Sequence, residues 1–349
     1  MSAFTRRERI SLGAVFAAFV VAALTHGMSG LLPFFTTLVA LAGVAWMVSF
    51  ATELLGEHFG PAVTGFLQSS LGNLPELFVV IFAINAGEIE IAQTSLIGSV
   101  LANALLMLGA AIMVGARKSD DGVMRFSARL PNDTATLLQV AVFGIVLAGL
   151  VGGTEAAHHI TTISAIASVC LLVVYLAWVI PYLRSDNRPE TETHHGPRVS
   201  MKVCVVLLAC AGAMAAFVSE WFIGALTPAI EQLHISKAFA GLVIVAIAGN
   251  AAENLTGIVL AAKGQSDLAI SVIKNSVAQV AAFLFPVLVL VSLLFPQHLT
   301  FDMPDIYIGG LALGGLAVWQ ITGDGEAQFY EGTALVALFT ILGAFALYS

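Results

Sequence analysis

The sequence predicts an all-α integral membrane protein of about eleven transmembrane helices, one N-terminal helix plus two inverted five-helix repeats. Three observations carry that expectation. Of 349 residues, 58% are hydrophobic and only 10% charged, with a mean hydropathy of +0.94, where a soluble domain carries roughly a quarter charged residues. Apolar runs of about twenty residues, each long enough to cross a bilayer, recur along the whole chain. Finally, Gly72-Asn73-Leu74-Pro75-Glu76 inside one of these runs returns as Gly249-Asn250-Ala251-Ala252-Glu253 inside another.

Backbone polar groups in lipid are satisfied only within helices or closed barrels. The short alternating segments of a barrel are missing from the sequence, so each run reads as helix. The first run follows Arg6-Arg7-Glu8-Arg9 and ends in Thr25-His26-Gly27 without a small-x-small cleavage pattern, so it is expected to be a retained helix rather than a signal peptide. The spans are expected at 11–26, 34–55, 62–86, 89–115, 134–152, 161–183, 201–225, 237–262, 266–294, 305–322 and 331–348. Asn85-Ala86-Gly87-Glu88 and Lys263-Gly264-Gln265-Ser266 are tight turns. The longest polar stretch, Arg184 to Ser200, contains Pro189, Glu190, Glu192, His194, His195 and Pro197. It divides the chain into an N-terminal helix (1–30), a first repeat (31–184), a cytoplasmic linker (185–200) and a second repeat (201–349).

The basic residues test this count. With the N-terminus in the cytoplasm, the inner loops hold Arg6, Arg7, Arg9, Arg117, Lys118, Arg125, Arg129, Arg184, Arg188, Arg198, Lys202 and Lys263, leaving only Lys237 outside and Lys274 within a span. That bias sets the orientation by the positive-inside rule. Consecutive units of five spans enter from opposite sides, which makes the repeat an inverted one. Residues 72–105 slide onto 249–282 without a gap, matching Gly72/Gly249, Asn73/Asn250, Glu76/Glu253, Ile81/Ile258, Gly87/Gly264, Ala92/Ala269, Ser99/Ser276, Val100/Val277 and Ala104/Ala281. The Gly, Asn, Glu and Ser matches are the informative ones in so apolar a chain.

An ionisable group deep in a span is expensive and points to function. Glu76 lies roughly 20 Å of helix from the inner end of its span, near mid-depth. Ser99 and Asn103 reach a similar depth from the opposite side, and Glu253 with Ser276 and Gln279 repeats the arrangement in mirror image. Gly72 with Pro75, and Gly249, weaken the helix just before each acid, and carbonyls freed there can serve as ligands in a cavity. Carboxylate, amide and carbonyl oxygens suit a hard cation such as Ca2+. Two ionised glutamates neutralise a divalent charge, and without the ion the buried carboxyls hold protons. Competition between Ca2+ and H+ for one pair of acids is a sufficient logic for antiport.

Other readings of these residues are structural. The two glutamates could tie helices together, Ser99 and Ser276 could bond their own backbones, and Asn103 and Gln279 could be helix glue. Glu53 and Glu220, deep in the second and seventh spans, read as plain interfacial acids. Asp302, Asp305, Glu88 and Glu90 read as outer-loop solvation that could attract cations, and His158, His159, His194 and His195 as loop surface. Cys170, Cys204 and Cys210 make no zinc spacing or disulfide framework and read as small buried hydrophobes. Gly27-Met28-Ser29-Gly30 and Gly323-Asp324-Gly325 are loop rather than protease motifs. No basic patch suggests nucleic acid, and no GxxxxGK[ST] run suggests ATP. No cofactor is expected beyond the transported ions, nor any enzymatic step, and membrane lipid is the expected surrounding.

Ala51-Thr52-Glu53-Leu54-Leu55, the run Gly65-Phe66-Leu67-Gln68-Ser69-Ser70-Leu71-Gly72-Asn73-Leu74-Pro75-Glu76-Leu77, and Ser95-Leu96-Ile97-Gly98-Ser99-Val100-Leu101-Ala102-Asn103 resemble the first signature repeat of the cation/proton exchanger family. That family is a calcium/proton antiporter branch of the calcium/cation antiporter superfamily. Gly249 to Glu253 with Ser276-Val277-Ala278-Gln279 is similar to its second repeat. The resemblance implies Ca2+/H+ antiport, with Glu76 and Glu253 as alternating Ca2+ and proton carriers assisted by Asn73, Asn250, Ser99 and Ser276, and it suggests a supporting role for Glu53 and Glu220. The full candidate ligand set adds Gly72, Gly249, Asn103 and Gln279. The short N-terminus favours the plasma (inner) membrane of a prokaryotic-type cell.

Three positions depart from the family pattern. Leu74-Pro75 stands where Ala-Thr is usual, Asn254 follows the second motif in place of His, and Lys274-Asn275 precedes Ser276 in place of a small residue and Gly. Lys274 could pair with Glu76 or Glu253 and favour a monovalent ion, or face away and snorkel toward the inner surface. Exchange of Na+ or K+ for H+ on the same scaffold, or a passive cation channel, are the alternative functions.

Overall fold

The computed structural model describes residues 4–59, 61–127, 129–153, 155–184 and 197–349, without the side chains of 61, 62, 65, 69, 129–135, 152, 153, 182, 184 and 252–254. Helices occupy all eleven of the expected stretches. Among the described residues, 8 are long and apolar enough to cross a membrane. Thr136–Gly149 and Lys237–Gly249 are shorter apolar helices, and Asp305–Thr322 is a helix of 18 residues. The seventh helix runs through Pro228 to Leu233, eight residues beyond the expected limit of 225. The pieces of linker from 185 to 196, with His194 and His195, lie outside the described residues.

The chain forms two compact units. The first comprises Met1–Phe82, Leu176–His234 and Ala248–Ala252. It contains α1 (Arg6–Thr25), α2 (Leu32–Gly56), α3 (Pro61–Gly72) and α9 (Met201–Leu233). Thr5 opens α1 as a capping box, its hydroxyl accepting from Glu8 N while Glu8 Oε2 accepts from Thr5 N. The core lies between α2 and α9, which bury Leu41, Val44 and Val48 on the one helix and Ala211, Ala215 and Phe222 on the other. Phe50, Leu54, Leu55, Val199 and Cys204 form a cluster at one end. There Arg198 binds both Glu57 (2.7 Å) and Glu8 (3.1 Å), and the hydrogen bond it donates to Glu57 raises the Arg198 pKa. At the other end the hydroxyls of Thr25 and Thr36 meet at 2.7 Å and His26 stacks on Trp221.

The second unit comprises Ala83–Tyr175, Ile235–Ile247 and Glu253–Ser349. Its most buried runs are Ile89–Lys118 and Ser266–Ser292. The first is α5 (Ile89–Leu101), a π-helical turn Ala102–Met107, and α6 (Leu108–Lys118). The second is α13 (Ser266–Gln279), a π-helical turn Val280–Leu284, and α14 (Phe285–Ser292). Glycines let backbones approach, as small residues do in membrane helices. A Cβ on Gly98 would collide with the backbone of Leu242, and one on Gly109 with the carbonyl of Gly332.

Loop contacts in this unit sort into two sets. In one, β1 (Val123–Arg125) pairs antiparallel with β2 (Glu326–Gln328), Lys118 Nζ donates to Ala262 O at 2.6 Å, and Ser127 N to Asp267 Oδ1 at 2.5 Å. Arg125 also pairs with Asp121, and its hydrogen bond holds that carboxyl below its usual range. In the other, Lys237 pairs with Glu88 at 2.6 Å, Gln93 donates to the carbonyls of Thr300 and Asp302, and Ser236 donates to Ala346 O. The loops of the first set are those assigned above to the inner face, and those of the second to the outer. Among the described residues this strand pair departs from the all-helical expectation, and the sequence did not signal it, since three residues per strand carry too little alternation to read.

The hairpin repeat is visible in the backbone. Both α4 (Leu74–Asn85) and α12 (Ala251–Ala262) have 12 residues. Each ends in a glycine of positive φ, Gly87 at 79° and Gly264 at 78°. The closing hydrogen bonds correspond one to one: Gly87 N to Ile84 O and Glu88 N to Ala83 O, against Gly264 N to Ala261 O and Gln265 N to Leu260 O. This is a Schellman motif, which needs the left-handed conformation that glycine takes freely.

Candidate functional site

In each motif the helix breaks at the asparagine. Gly72 is the last residue of α3 and Asn73 a turn residue, after which α4 starts at Leu74. Gly249 is the last residue of α11 (Ala246–Gly249) and Asn250 a turn residue, after which α12 starts at Ala251. The glycines and Pro75 were expected to weaken these positions. Pro75 falls at the second residue of α4, where a missing N–H costs nothing. The first bond of α4 runs from Leu77 N to Asn73 O at 2.9 Å.

Asn73 and Asn250 thus occupy N-cap positions, which favour asparagine, and Glu76 and Glu253 are the third residues of their helices. Asn-x-x-Glu at a helix start is an N-terminal signature in its own right. It was present in the sequence as a signal for the exact break and went unread there. The start of a helix carries the positive end of its dipole, where an anionic side chain is stabilised.

Within the first unit, Asn73 is 5% exposed, Glu76 2% and Asn250 2%. Gly249 stands against Glu76: a Cβ on the glycine would lie 3.9 Å from the Cβ of the acid. Ser219 Oγ on α9 donates to Pro75 O at 3.4 Å, a neighbour of the break that sequence reasoning missed. Glu53 and Glu220 are both exposed on their helices.

Within the second unit, Ser99, Asn103, Ser276 and Gln279 are all buried. Asn103 Nδ2 donates to Ser276 Oγ at 3.1 Å, joining the first motif region to the second. Asn103 lies in the π-helical turn Ala102–Met107, and Gln279 immediately precedes the π-helical turn Val280–Leu284. The wider π turn disturbs the regular carbonyl ladder and is common at functional sites. Gln279 Oε1 is buried and accepts no hydrogen bond from the described residues. The side chain of Glu253 lies outside what the structure describes.

Lys274 neither pairs with a carboxylate of the described residues nor reaches solvent. It is 3% exposed and donates to Thr322 Oγ1 at 2.7 Å. Among the described residues no group of three or more His, Cys, Asp or Glu gathers, so the available oxygens are few carboxylates with several amides and hydroxyls. His158 and His159 are exposed, as expected, although they end the short helical turn Glu155–His159 rather than lying in a loop. Cys204 is buried, whereas Cys170 and Cys210 are exposed on apolar helices.

Comparison with known proteins bears on the whole chain. The family model described as sodium/calcium exchanger protein matches residues 28–181 and 203–348. The vacuolar calcium ion transporter of Schizosaccharomyces pombe is 32% identical over 321 residues, covering 88% of this chain and 77% of that protein. The Ca(2+)/H(+) antiporter ChaA of Bacillus subtilis is 30% identical over 332 residues, covering 93% of each. The solved structure of native YfkE superposes with a TM-score of 0.82 at 27% identity, covering 97% of this chain and 99% of that one.

Proposed function

The chain belongs to the sodium/calcium exchanger protein family, and we propose that within it this multi-pass membrane protein exchanges Ca2+ for H+. Glu76 and Glu253 are the alternating carriers of Ca2+ and protons, assisted by oxygens from Asn73, Asn250, Ser99, Asn103, Ser276 and Gln279 and by backbone near Gly72 and Gly249. The observation that carries this reading is the twice-built helix start, Asn at the cap and Glu at the third residue, interrupting an apolar run. Two relatives that align over most of their length are a calcium ion transporter and a Ca2+/H+ antiporter by name.

The mechanism follows from charge. A hard divalent cation is matched by carboxylate, amide and hydroxyl oxygens. When it leaves, bare carboxylates in apolar surroundings are costly, and protons replace it. The loaded forms cross and the empty ionised form does not, which couples the two fluxes. One charge moved across 100 mV is worth about 2.3 kcal/mol, so the proton gradient suffices to drive Ca2+ outward when enough protons return.

The reading places the N-terminus in the cytoplasm, with eleven crossings built as one helix and two inverted five-helix repeats, in the plasma (inner) membrane. The distribution of Lys and Arg supports it, as does the sorting of loop contacts into two sets. Everted vesicles with a pH-sensitive dye test the exchange. Ca2+ should dissipate a preformed proton gradient; a response to Na+ or K+ alone overturns the ion assignment, and a Ca2+ flux independent of pH indicates a channel.

A further inference from the structure

Lys274 carries an ammonium group into the most buried part of the second unit. Its Nζ donates to Thr322 Oγ1 at 2.7 Å, and Thr322, fully buried at the end of α15 (Asp305–Thr322), donates in turn to Val318 O at 2.7 Å. No described carboxylate pairs with it. Holding a charge there on a neutral hydroxyl costs far more than burying a methionine of the same length. Lys274 and Ser276 are two residues apart on α13, roughly 200° around the helix. The lysine therefore lies on the face turned away from Ser276 and is not a ligand beside it. Its field nonetheless reaches across the helix, on the order of 10 Å, where low dielectric and the lack of salt leave it weakly screened.

We propose that Lys274 is a specificity-determining residue acting at a distance: a fixed positive charge, held by Thr322 behind the Ser276 face of α13, that weakens binding of a divalent cation and hastens its release. The inference rests on the reading that Ca2+ is bound by the residues around Ser276. Repulsion grows with the charge of the ion, so Ca2+ is disfavoured twice as strongly as a singly charged competitor. A transport site has to bind well enough to load and weakly enough to let go, and a lysine behind the ligands sets that balance without occupying the site.

The test is Ca2+-driven proton movement in proteoliposomes, with KM and kcat measured for wild type, K274M, K274R and T322V, and E76Q as the control for exchange itself. K274M should lower the apparent KM for Ca2+ by about tenfold and lower kcat with it. K274R, which keeps the charge, should retain the wild-type KM, and T322V, which removes the hydroxyl that holds it, should move KM in the same direction as K274M. If K274M and T322V lose activity alike with KM unchanged, Lys274 is a structural strut and the inference is overturned. K274Q replaces K274M should the latter fail to reach the membrane; if neither neutral variant reaches it while K274R does, the strut reading again prevails. Wild-type exchange abolished in E76Q, with the KM of K274M unchanged, sinks this inference alone. A wild type without Ca2+/H+ exchange sinks the underlying reading and this inference with it.

Discussion

Glu76 and Gly249 stand against one another, with 3.9 Å between the Cβ of the acid and the place a Cβ on the glycine would take. The acid of the first motif is thus packed on the break of the second, within one compact unit. At 3.9 Å a methyl group makes ordinary contact, so G249A should fold and keep part of its transport. G249L should crowd Glu76 and abolish transport while remaining monodisperse in detergent. Size-exclusion profiles and Ca2+-driven proton movement of the two variants check this.

A second contact between the motif regions joins Asn103 to Ser276 at 3.1 Å. S276A removes the acceptor and strands a buried amide, at a cost of about 1–3 kcal/mol. N103A with S276A should cost less than the two single changes added, with a coupling of roughly 0.5–3 kcal/mol. Thermal unfolding of the purified variants gives the cycle; strict additivity would mean the pair does not interact.

The helix starts at Asn73 and Asn250 predict a further pattern. N250A should destabilise by about 1 kcal/mol, the usual loss of an N-cap. N250D, which keeps an oxygen at the same place, should recover stability. The transport of N73D and N250D should remain impaired, because an added negative charge alters the balance between Ca2+ and protons. Melting temperature and Ca2+-dependent proton uptake separate the two effects.

Close helix packing makes its own prediction. A Cβ on Gly98 meets the backbone of Leu242, which cannot swing aside as a side chain would. G98A should therefore cost about 1–3 kcal/mol through overpacking, seen as a lowered melting temperature. G224A, with nothing near its added methyl, should leave stability unchanged or slightly raised.

How much was legible in the sequence follows from what each feature depends on. The helical runs were readable because a bilayer demands about twenty apolar residues per crossing, and the structure has a helix at each of those runs. The Gly-Asn-x-x-Glu duplication was readable because polar residues are rare enough in such runs to be noticed. The location of the break at Asn73 and Asn250 was written there too, as an N-cap signature. The π-helical turns at Ala102–Met107 and Val280–Leu284 were not, since a single wide turn leaves the apolar pattern unchanged. Nor was the partner of Lys274: Thr322 is 48 residues away, and only packing decides which hydroxyl an ammonium finds. Glu53 and Glu220 show the converse, acids in apolar runs that the fold leaves exposed.

The central claim is that two glutamates, Glu76 and Glu253, carry both ions. Its most direct test is Ca2+-induced collapse of a preformed proton gradient in everted vesicles holding wild type, E76Q or E253Q at equal abundance. Wild type should release the gradient on Ca2+ addition, and neither variant should. Release by E76Q or E253Q at the wild-type rate would contradict the account.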